Sequence, residues 1–266
     1  VDDGPLDAGH IIQPNEHDDP INFLAFSLAL DFLGVEQYPP SGEGPGFTLI
    51  QTPDFAFAPL CAGFVAHSLD FDNAVIDLSD FNACGIFTFL SMTDIYINGM
   101  LEIGGFEGIV DFHALGEIFF PVEGYIDSLN PGISMVFASA GPISIDTMSF
   151  NLPDGFLGLA SEQDITLYSV GVTADQGVRI KANGAIDISD FTLYASYGGG
   201  YEGGEYVIVN GPPENGYATP YVDIFAGGPI SLYNVDFGMA DVVALTPDTL
   251  SIAGTFYANG IDAIAG

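Results

Sequence analysis

Positively charged side chains are almost absent from this chain. Among its 266 residues, 36 are Asp or Glu and only two are Lys or Arg, which gives a formal net charge of −34. Nucleic acids and anionic membrane surfaces attract proteins chiefly through Lys and Arg, so we expect neither as a partner. The two cations, Arg179 and Lys181, lie close together in VRIKANG, and we interpret them as surface residues that flank a turn.

Residue patterns of known catalytic and metal chemistry are also missing. No HxH, HExxH, CxxC or GxSxG motif occurs, and no glycine-rich phosphate loop carries a lysine. These absences leave a zinc site and the common hydrolase mechanisms without support. The chain is therefore predicted not to be an enzyme and to require no cofactor. Its four histidines are His10, His17, His67 and His113.

Cysteine and long apolar runs are equally scarce. Cys61 and Cys84 are too few for a disulfide framework, and the sequence leaves open whether they form one bridge or remain thiols. The longest apolar run, residues 21–35, contains polar interruptions and is too short for a membrane helix, so no membrane insertion is expected. The polar start at Val1 predicts a mature N-terminus from which an export signal has been removed.

Apolar residues, glycine and proline are abundant. Hydrophobic residues make up 48% of the chain, with 22 Phe and 12 Tyr, which is enough to bury a large core. The 34 Gly and 17 Pro interrupt the chain too often for long helices, so the sequence predicts an all-β protein. A surface this acidic stays soluble where salt or divalent cations screen it, which favours an extracellular or cell-surface protein of a marine or halophilic microbe.

A degenerate repeat runs through most of the chain. Gly99, Gly141, Gly184 and Gly228 are separated by 42, 43 and 44 residues. Apolar residues follow each glycine at offsets of two, four and seven, as in Ile186, Ile188 and Phe191 after Gly184. Periods of this length indicate an array of similar supersecondary units.

The unit is predicted to be a β-hairpin. A three-residue loop over residues 182–184 pairs Ile180 with Ile186 and Val178 with Ile188, which makes one face apolar. The expected fold is therefore a set of antiparallel hairpins of about 42–44 residues that form an elongated β-sandwich or meander. The alternative is a β-solenoid in which the glycines form the corners.

Two regions of different character are predicted. Residues 1–50 form a polar leader and an apolar segment that either exchanges strands with a neighbouring subunit or caps the chain's own core. Residues 51–266 form the repetitive β domain. The side chains predicted to contact another subunit are Ile21, Phe23, Leu24, Phe26, Leu28, Leu30 and Phe32.

One cluster of carboxylates is a candidate calcium site. Asp70 and Asp72 alternate and would share one face of a strand, whereas Asp77 and Asp80 fall out of that phase and would join only across a turn. Oxygen ligands of this type suit Ca²⁺. Cation binding spread weakly over many carboxylates is the competing hypothesis. The tyrosine-containing loop of residues 198–216 is a second candidate contact surface.

These features favour a structural role. The primary hypothesis is a subunit of a self-assembling homopolymer, such as a filament, a pilus-like fibre or a surface or biofilm matrix. The alternative is a secreted carbohydrate-binding or adhesive β module that contacts glycans through tyrosines. A polysaccharide-acting enzyme is the third hypothesis, because paired carboxylates serve glycoside hydrolysis.

Overall fold

The computed structural model describes residues 10–12, 63–81, 85–194, 201–202, 205–206 and 220–265. These residues contain short β-strands and one 3₁₀ turn, Ser79–Phe81. The first strands are β1 (His10–Ile12), β2 (Gly63–Ala66), β3 (Leu69–Asp77), β4 (Ile86–Ser91), β5 (Ile95–Gly104), β6 (Gly108–Ala114), β7 (Ile118–Phe120), β8 (Gly124–Ser128), β9 (Ile133–Ser139) and β10 (Ile143–Leu152). They are followed by β11 (Phe156–Ser161), β12 (Ile165–Ala174), β13 (Gly177–Ala182), β14 (Ile186–Tyr194), β15 (Tyr201–Glu202), β16 (Glu205–Tyr206), β17 (Tyr221–Ala226), β18 (Ile230–Asp236), β19 (Asp241–Thr246), β20 (Leu250–Tyr257) and β21 (Gly260–Ala265).

The strands build a β-solenoid, in which each coil contributes to two sheets. Sheet A has the order β1-β2-β4-β6-β9-β11-β13-β17-β19-β21. Sheet B has the order β3-β5-β7-β10-β12-β14-β18-β20, with β8 also placed between β5 and β10. Neighbouring strands within each sheet are parallel, except that β1 runs antiparallel to β2. The small antiparallel pair β15–β16 belongs to an insertion between β14 and β17.

The prediction of antiparallel hairpins is therefore wrong, and the solenoid alternative is confirmed. Ile180 and Ile186 do not pair with each other across a turn. Ile180 lies beside Ile224 in sheet A, and Ile186 lies beside Ile230 in sheet B. Alternation of apolar residues on both sides of a glycine is the same for a hairpin tip and for a solenoid corner, which is why the sequence pattern allowed both.

Three of the four repeat glycines occupy such a corner. The backbone N–H of Gly228 donates to the carbonyl of Gly184 at 2.9 Å, and that of Gly141 donates to Gly116 at 2.7 Å. Gly99 lies instead inside β5, with a positive φ of 76°. The corner positions are thus stacked on one another from coil to coil, and they send the chain from sheet A to sheet B.

The structural repeat is shorter than the predicted one. Along the middle of sheet A, positions in register are 19 to 25 residues apart, except for the 44 residues between Arg179 and Asp223. The interval from Gly141 to Gly184 therefore spans two coils. The interval from Gly184 to Gly228 spans one coil and the insertion.

Each long strand of sheet B bends at a residue in the left-handed conformation. Such a residue acts like a β-bulge and shifts the in–out alternation by one position. In β10, Ile143 and Ile145 face inward before the bend, and Met148 and Phe150 face inward after it. The bend explains why the inward apolar residues of the repeat lie four and then seven residues after the repeat glycine, an odd interval of three. The left-handed residues are Asn73, Gly99, Thr147, Ser169, Asp190, Asn234 and Gly254.

The interior is one continuous apolar core. Phe112 stacks on Phe89 with a ring-centroid distance of 5.1 Å and on Phe137 at 4.8 Å, with nearly parallel rings. Farther along, the same inward column continues as Leu159 and Ile180. Each such buried side chain stabilises the fold by about 1.5–3 kcal/mol relative to exposure to water, so the stacked columns hold the coils together.

Replacing Gly155 with Ala tests the stacking of coils. The new Cβ would collide with the backbone carbonyl oxygen of Ile133, which lies in the preceding coil. Overpacking against a backbone atom costs about 1–3 kcal/mol. We therefore expect the free energy of unfolding, measured by urea titration, to fall by about that amount.

Gly85→Ala is the matched control, because nothing lies within 4 Å of a Cβ at Gly85. This variant is expected to be as stable as the parent or slightly more stable. Equal stability of the two variants would contradict the stacking.

Candidate functional site

Asparagine amides take the place that cations hold in less acidic proteins. Within the described ranges, four Asn side chains donate a hydrogen bond to an Asp of a neighbouring coil on the outer surface. The bonds are Asn98 to Asp70 (2.6 Å), Asn151 to Asp127 (2.7 Å), Asn234 to Asp190 (3.1 Å) and Asn259 to Asp241 (2.7 Å). These bonds satisfy carboxylate oxygens without adding positive charge.

Arg179 is a cationic side chain that pairs with an Asp in the same way. Its Nη2 lies 3.0 Å from the Oδ2 of Asp223, and its guanidinium carbon lies 5.6 Å from the ring centre of Tyr221. Arg179 belongs to β13 and points outward from sheet A, so it does not flank a hairpin turn as predicted. Lys181, two residues on, is exposed.

Sheet B carries a column of outward-facing residues that includes two exposed tyrosines. Strand register places Asp146, Tyr168, Ser189, Tyr233 and Ala253 side by side, one on each of five successive strands. We call this set the tyrosine column. Adjacent strands are about 4.8 Å apart, so the Cα atoms of its two tyrosines are separated by about 10 Å across a serine.

The two rings are available to a ligand. The exposed fractions are 52% for Tyr168 and 48% for Tyr233. On the same five strands the neighbouring outward column is polar, with Ser144, Thr166, Asp187, Ser231 and Ser251. The face therefore combines two aromatic rings with hydroxyl and carboxylate groups, which is a chemistry suited to a ligand having both an apolar face and hydroxyls.

Sequence reasoning missed this column, although its signal is present. Tyr168, Ser189 and Tyr233 each lie five residues after a corner position, namely Gln163, Gly184 and Gly228. The repeat shows itself in the inward apolar offsets, whereas the signal for the tyrosine column is the outward offset of five.

Two further tyrosines, Tyr96 and Tyr125, lie beside acidic side chains, and desolvation together with these side chains raises the pKa of their phenols. Desolvation, the hydrogen bond from Tyr125 to Glu102 and the nearby charge of Asp127 raise the pKa of Tyr125. Desolvation, followed by the charges of Asp94 and Glu117, raises the pKa of Tyr96. Both phenols therefore keep their proton, and their capacity to donate a hydrogen bond, to a higher pH than an ordinary tyrosine.

The four aspartates of the predicted calcium site are arranged only partly as expected. Asp70 and Asp72 share the outer face of β3, and the left-handed Asn73 brings Asp77 back to an outward position. Asp77 Oδ1 accepts a hydrogen bond from the Ser79 amide at 3.0 Å.

Asp80 lies in the 3₁₀ turn, and its side chain is outside the described part. In the described ranges, no group of three His, Cys, Asp or Glu side chains is arranged to hold a metal ion. Calcium binding at these positions stays a prediction.

Several other predicted residues lie outside the described ranges. They include Cys61, Cys84, the whole apolar segment of residues 21–35 and most of the loop of residues 198–216. The predicted subunit contacts of residues 21–32 and the state of the two cysteines therefore stay predictions.

A buried polar pair lies on the outer face of sheet A, where no site was predicted. His113 Nδ1 is 3.4 Å from Asp111 Oδ2, and both side chains are buried. The second Asp111 oxygen and the Thr88 hydroxyl have no hydrogen-bond partner in the part of the chain that the structure describes. Beside them, Val136 and Ala138 form a small apolar cluster separate from the main core.

Comparisons with known proteins found no match. No protein-family model matches the chain, and no curated protein or solved structure is detectably similar to it. In the described ranges, no helix is both long and apolar enough to cross a membrane.

The Asn–Asp bonds predict a specific electrostatic penalty. Asn151→Asp keeps the side-chain shape but places a second carboxylate against Asp127, so a hydrogen bond is lost and like charges are opposed. We expect the free energy of unfolding to fall by about 1 kcal/mol at low salt and the loss to shrink in high salt.

Asn183→Asp adds the same charge at an exposed corner residue and is the control in the same urea titrations. At low salt, this variant is expected to lower the free energy of unfolding by less than Asn151→Asp does. A penalty for the Asn151 variant that is no larger than the control's would show that the Asn–Asp bonds contribute nothing.

Proposed function

We propose that this protein is a secreted adhesive β-solenoid that binds glycans through the tyrosine column. The observation that carries the proposal is the placement of Tyr168 and Tyr233, both about half exposed, two strands apart in one column of a polar sheet face. Parallel sheets hold such a spacing rigidly, because every strand is fixed by hydrogen bonds on both sides.

The chemistry of the face matches a sugar chain. The faces of sugar rings carry C–H groups that pack on aromatic rings, and their edges carry hydroxyls that bind carboxylate and hydroxyl groups. Asp146 lies beside Tyr168 in the column, and Asp187 lies in the neighbouring column between Thr166 and Ser231. Side chains in these positions can accept or donate hydrogen bonds around a ring stacked on a tyrosine.

Charge narrows the class of glycan. With a net charge of −34, the surface repels sulfated and uronic-acid polysaccharides. Neutral polysaccharides carry no such penalty. The proposal therefore commits to a neutral glycan and to a role without catalysis.

Removing the two rings tests the proposal. Tyr168→Ala and Tyr233→Ala each delete one stacking surface, so each is expected to weaken retention on immobilised neutral polysaccharides about tenfold, and the double variant more. Retention is measured by affinity electrophoresis across a panel of neutral and anionic glycans, with no retention expected on the anionic ones.

Tyr125→Ala is the matched control. Tyr125 is 42% exposed but lies after the bend, on another part of sheet B. Its removal should leave retention unchanged. The proposal would be contradicted if the parent protein bound no glycan in the panel, or if all three variants lost retention equally.

The structural hypothesis of a polymer subunit has one observation in its favour, the fold itself. A β-solenoid is an extended scaffold of stacked coils, which is a shape compatible with a structural role. The segment predicted to exchange strands lies outside the described residues. The filament, fibre or biofilm role and the extracellular location are therefore proposals that rest on composition and shape.

A further inference from the structure

Aromatic side chains recur on every second strand along the outer face of sheet B. Phe119 faces outward on β7, Tyr168 on β12 and Tyr233 on β18. These three strands are separated from one another by β10 and then by β14. Neighbouring strands are about 4.8 Å apart, so the three aromatic strands follow one another at intervals of about 9.6 Å. The two tyrosines of the tyrosine column are therefore part of a longer series of rings.

A second aromatic side chain supports Phe119. The ring of Tyr96, on the adjacent strand β5, meets the Phe119 ring edge to face, with a centroid distance of 6.4 Å. Both side chains are partly exposed. Edge-to-face contact is a preferred geometry of aromatic pairs, so Phe119 is held in one orientation with part of its side chain accessible to a ligand.

Phe119 lies at the end of the polar column, beside Ser144. It is therefore displaced from the tyrosine column by two residues along the strand, which is about 7 Å. A ligand that contacts all three rings follows the tyrosine column from Tyr233 to Tyr168 and then bends toward the corner from which β7 begins.

The strands between the rings are polar in the same way. On β10 the outward residues at this level are Ser144 and Asp146, and on β14 they are Asp187 and Ser189. Each intervening strand thus offers one hydroxyl and one carboxylate. Along the solenoid axis, a ring on one strand alternates with hydrogen-bonding groups on the next.

This alternation matches a linear sugar chain with an extended backbone. In a chain of equatorially linked rings, each unit is turned by half a rotation relative to the one before it, so the same ring face returns at every second unit. One unit of such a chain advances by close to one strand spacing. Helical glycans, such as α-linked glucans, do not return the same face at this interval.

We propose that the ligand is a linear, neutral, equatorially linked glycan that lies along the solenoid axis from β7 to β18, and that Phe119 is its third stacking platform. The inference rests on the proposed glycan binding and adds the direction, the length and the backbone class of the ligand. The contacted strands are β7, β10, β12, β14 and β18, so about five sugar units lie on the face, one on each strand.

The length of the sugar chain tests the third platform. Titration calorimetry measures the affinity for cello-oligosaccharides and manno-oligosaccharides of increasing length, and the affinity of the parent protein is expected to rise up to about five units. Phe119→Ala should weaken binding of the six-unit chain about tenfold. The same variant should change binding of a three-unit chain by about twofold at most, because three units still fit between Tyr168 and Tyr233.

Phe156→Ala is the matched control. Phe156 is also a partly exposed, outward-facing phenylalanine, but it lies on β11 of sheet A. This variant should bind every oligosaccharide as the parent protein does. Phe119→Tyr keeps the ring and should retain binding of the six-unit chain. Circular dichroism checks that all variants remain folded.

The linkage of the sugar tests the backbone class. Maltohexaose has the same number of glucose units as cellohexaose, but its α-linked backbone is helical. We expect the parent protein to bind it at least about tenfold more weakly. Equal affinity for the two chains would overturn the backbone class.

Failure of the inference can be told apart from failure of the proposed function. If Phe119→Ala binds the six-unit chain as well as Phe156→Ala does, while Tyr168→Ala binds it weakly, the third platform is overturned and the tyrosine column stands. If the parent protein is retained on other neutral polysaccharides but binds none of these oligosaccharides, the ligand class is overturned and glycan binding stands. A parent protein that binds no glycan at all contradicts both.

Discussion

Stacking of equivalent residues at about 4.8 Å is the constraint on which the rest of this structure depends. In a parallel solenoid every side chain lies beside its equivalents in the coils before and after. Apolar columns gain from this, as in the stack of Phe89, Phe112 and Phe137. Acidic columns are penalised by it, because like charges would lie side by side. The chain reduces this penalty by setting amides against carboxylates, as Asn151 does with Asp127.

The same constraint connects the fold to the proposed function. A column fixed by register holds Tyr168 and Tyr233 at a set spacing without any loop having to be ordered, which suits recognition of a regular glycan. The same register places a polar column, with Ser144, Thr166 and Asp187, directly beside the tyrosine column.

The sequence predicts an all-β protein and its apolar columns, but it does not predict the direction in which the strands pair. The residues two and four positions after Gly184 and Gly228 face inward, as predicted. Gly184 and Gly228 themselves lie at corners of the solenoid. Parallel pairing joins residues that are distant in sequence and leaves no signal in the local sequence. A hairpin therefore explains the same apolar offsets. Ile188 and Phe191 both face inward although they are three residues apart, and this break in the alternation is the sign of the bend in the sequence. The tyrosine column lies at an outward offset, which the apolar pattern of the repeat does not reveal.

Distances between spin labels along one outward column test the stacked-coil architecture most directly. Asp70, Asp187 and Ser251 belong to a single column, with five strand spacings from the first to the second and seven from the first to the third. With Cys61 and Cys84 replaced by Ser, labels at these positions should give backbone separations of about 24 Å and about 34 Å by double electron–electron resonance. Separations that do not grow with the number of intervening coils would contradict the solenoid and everything argued from it.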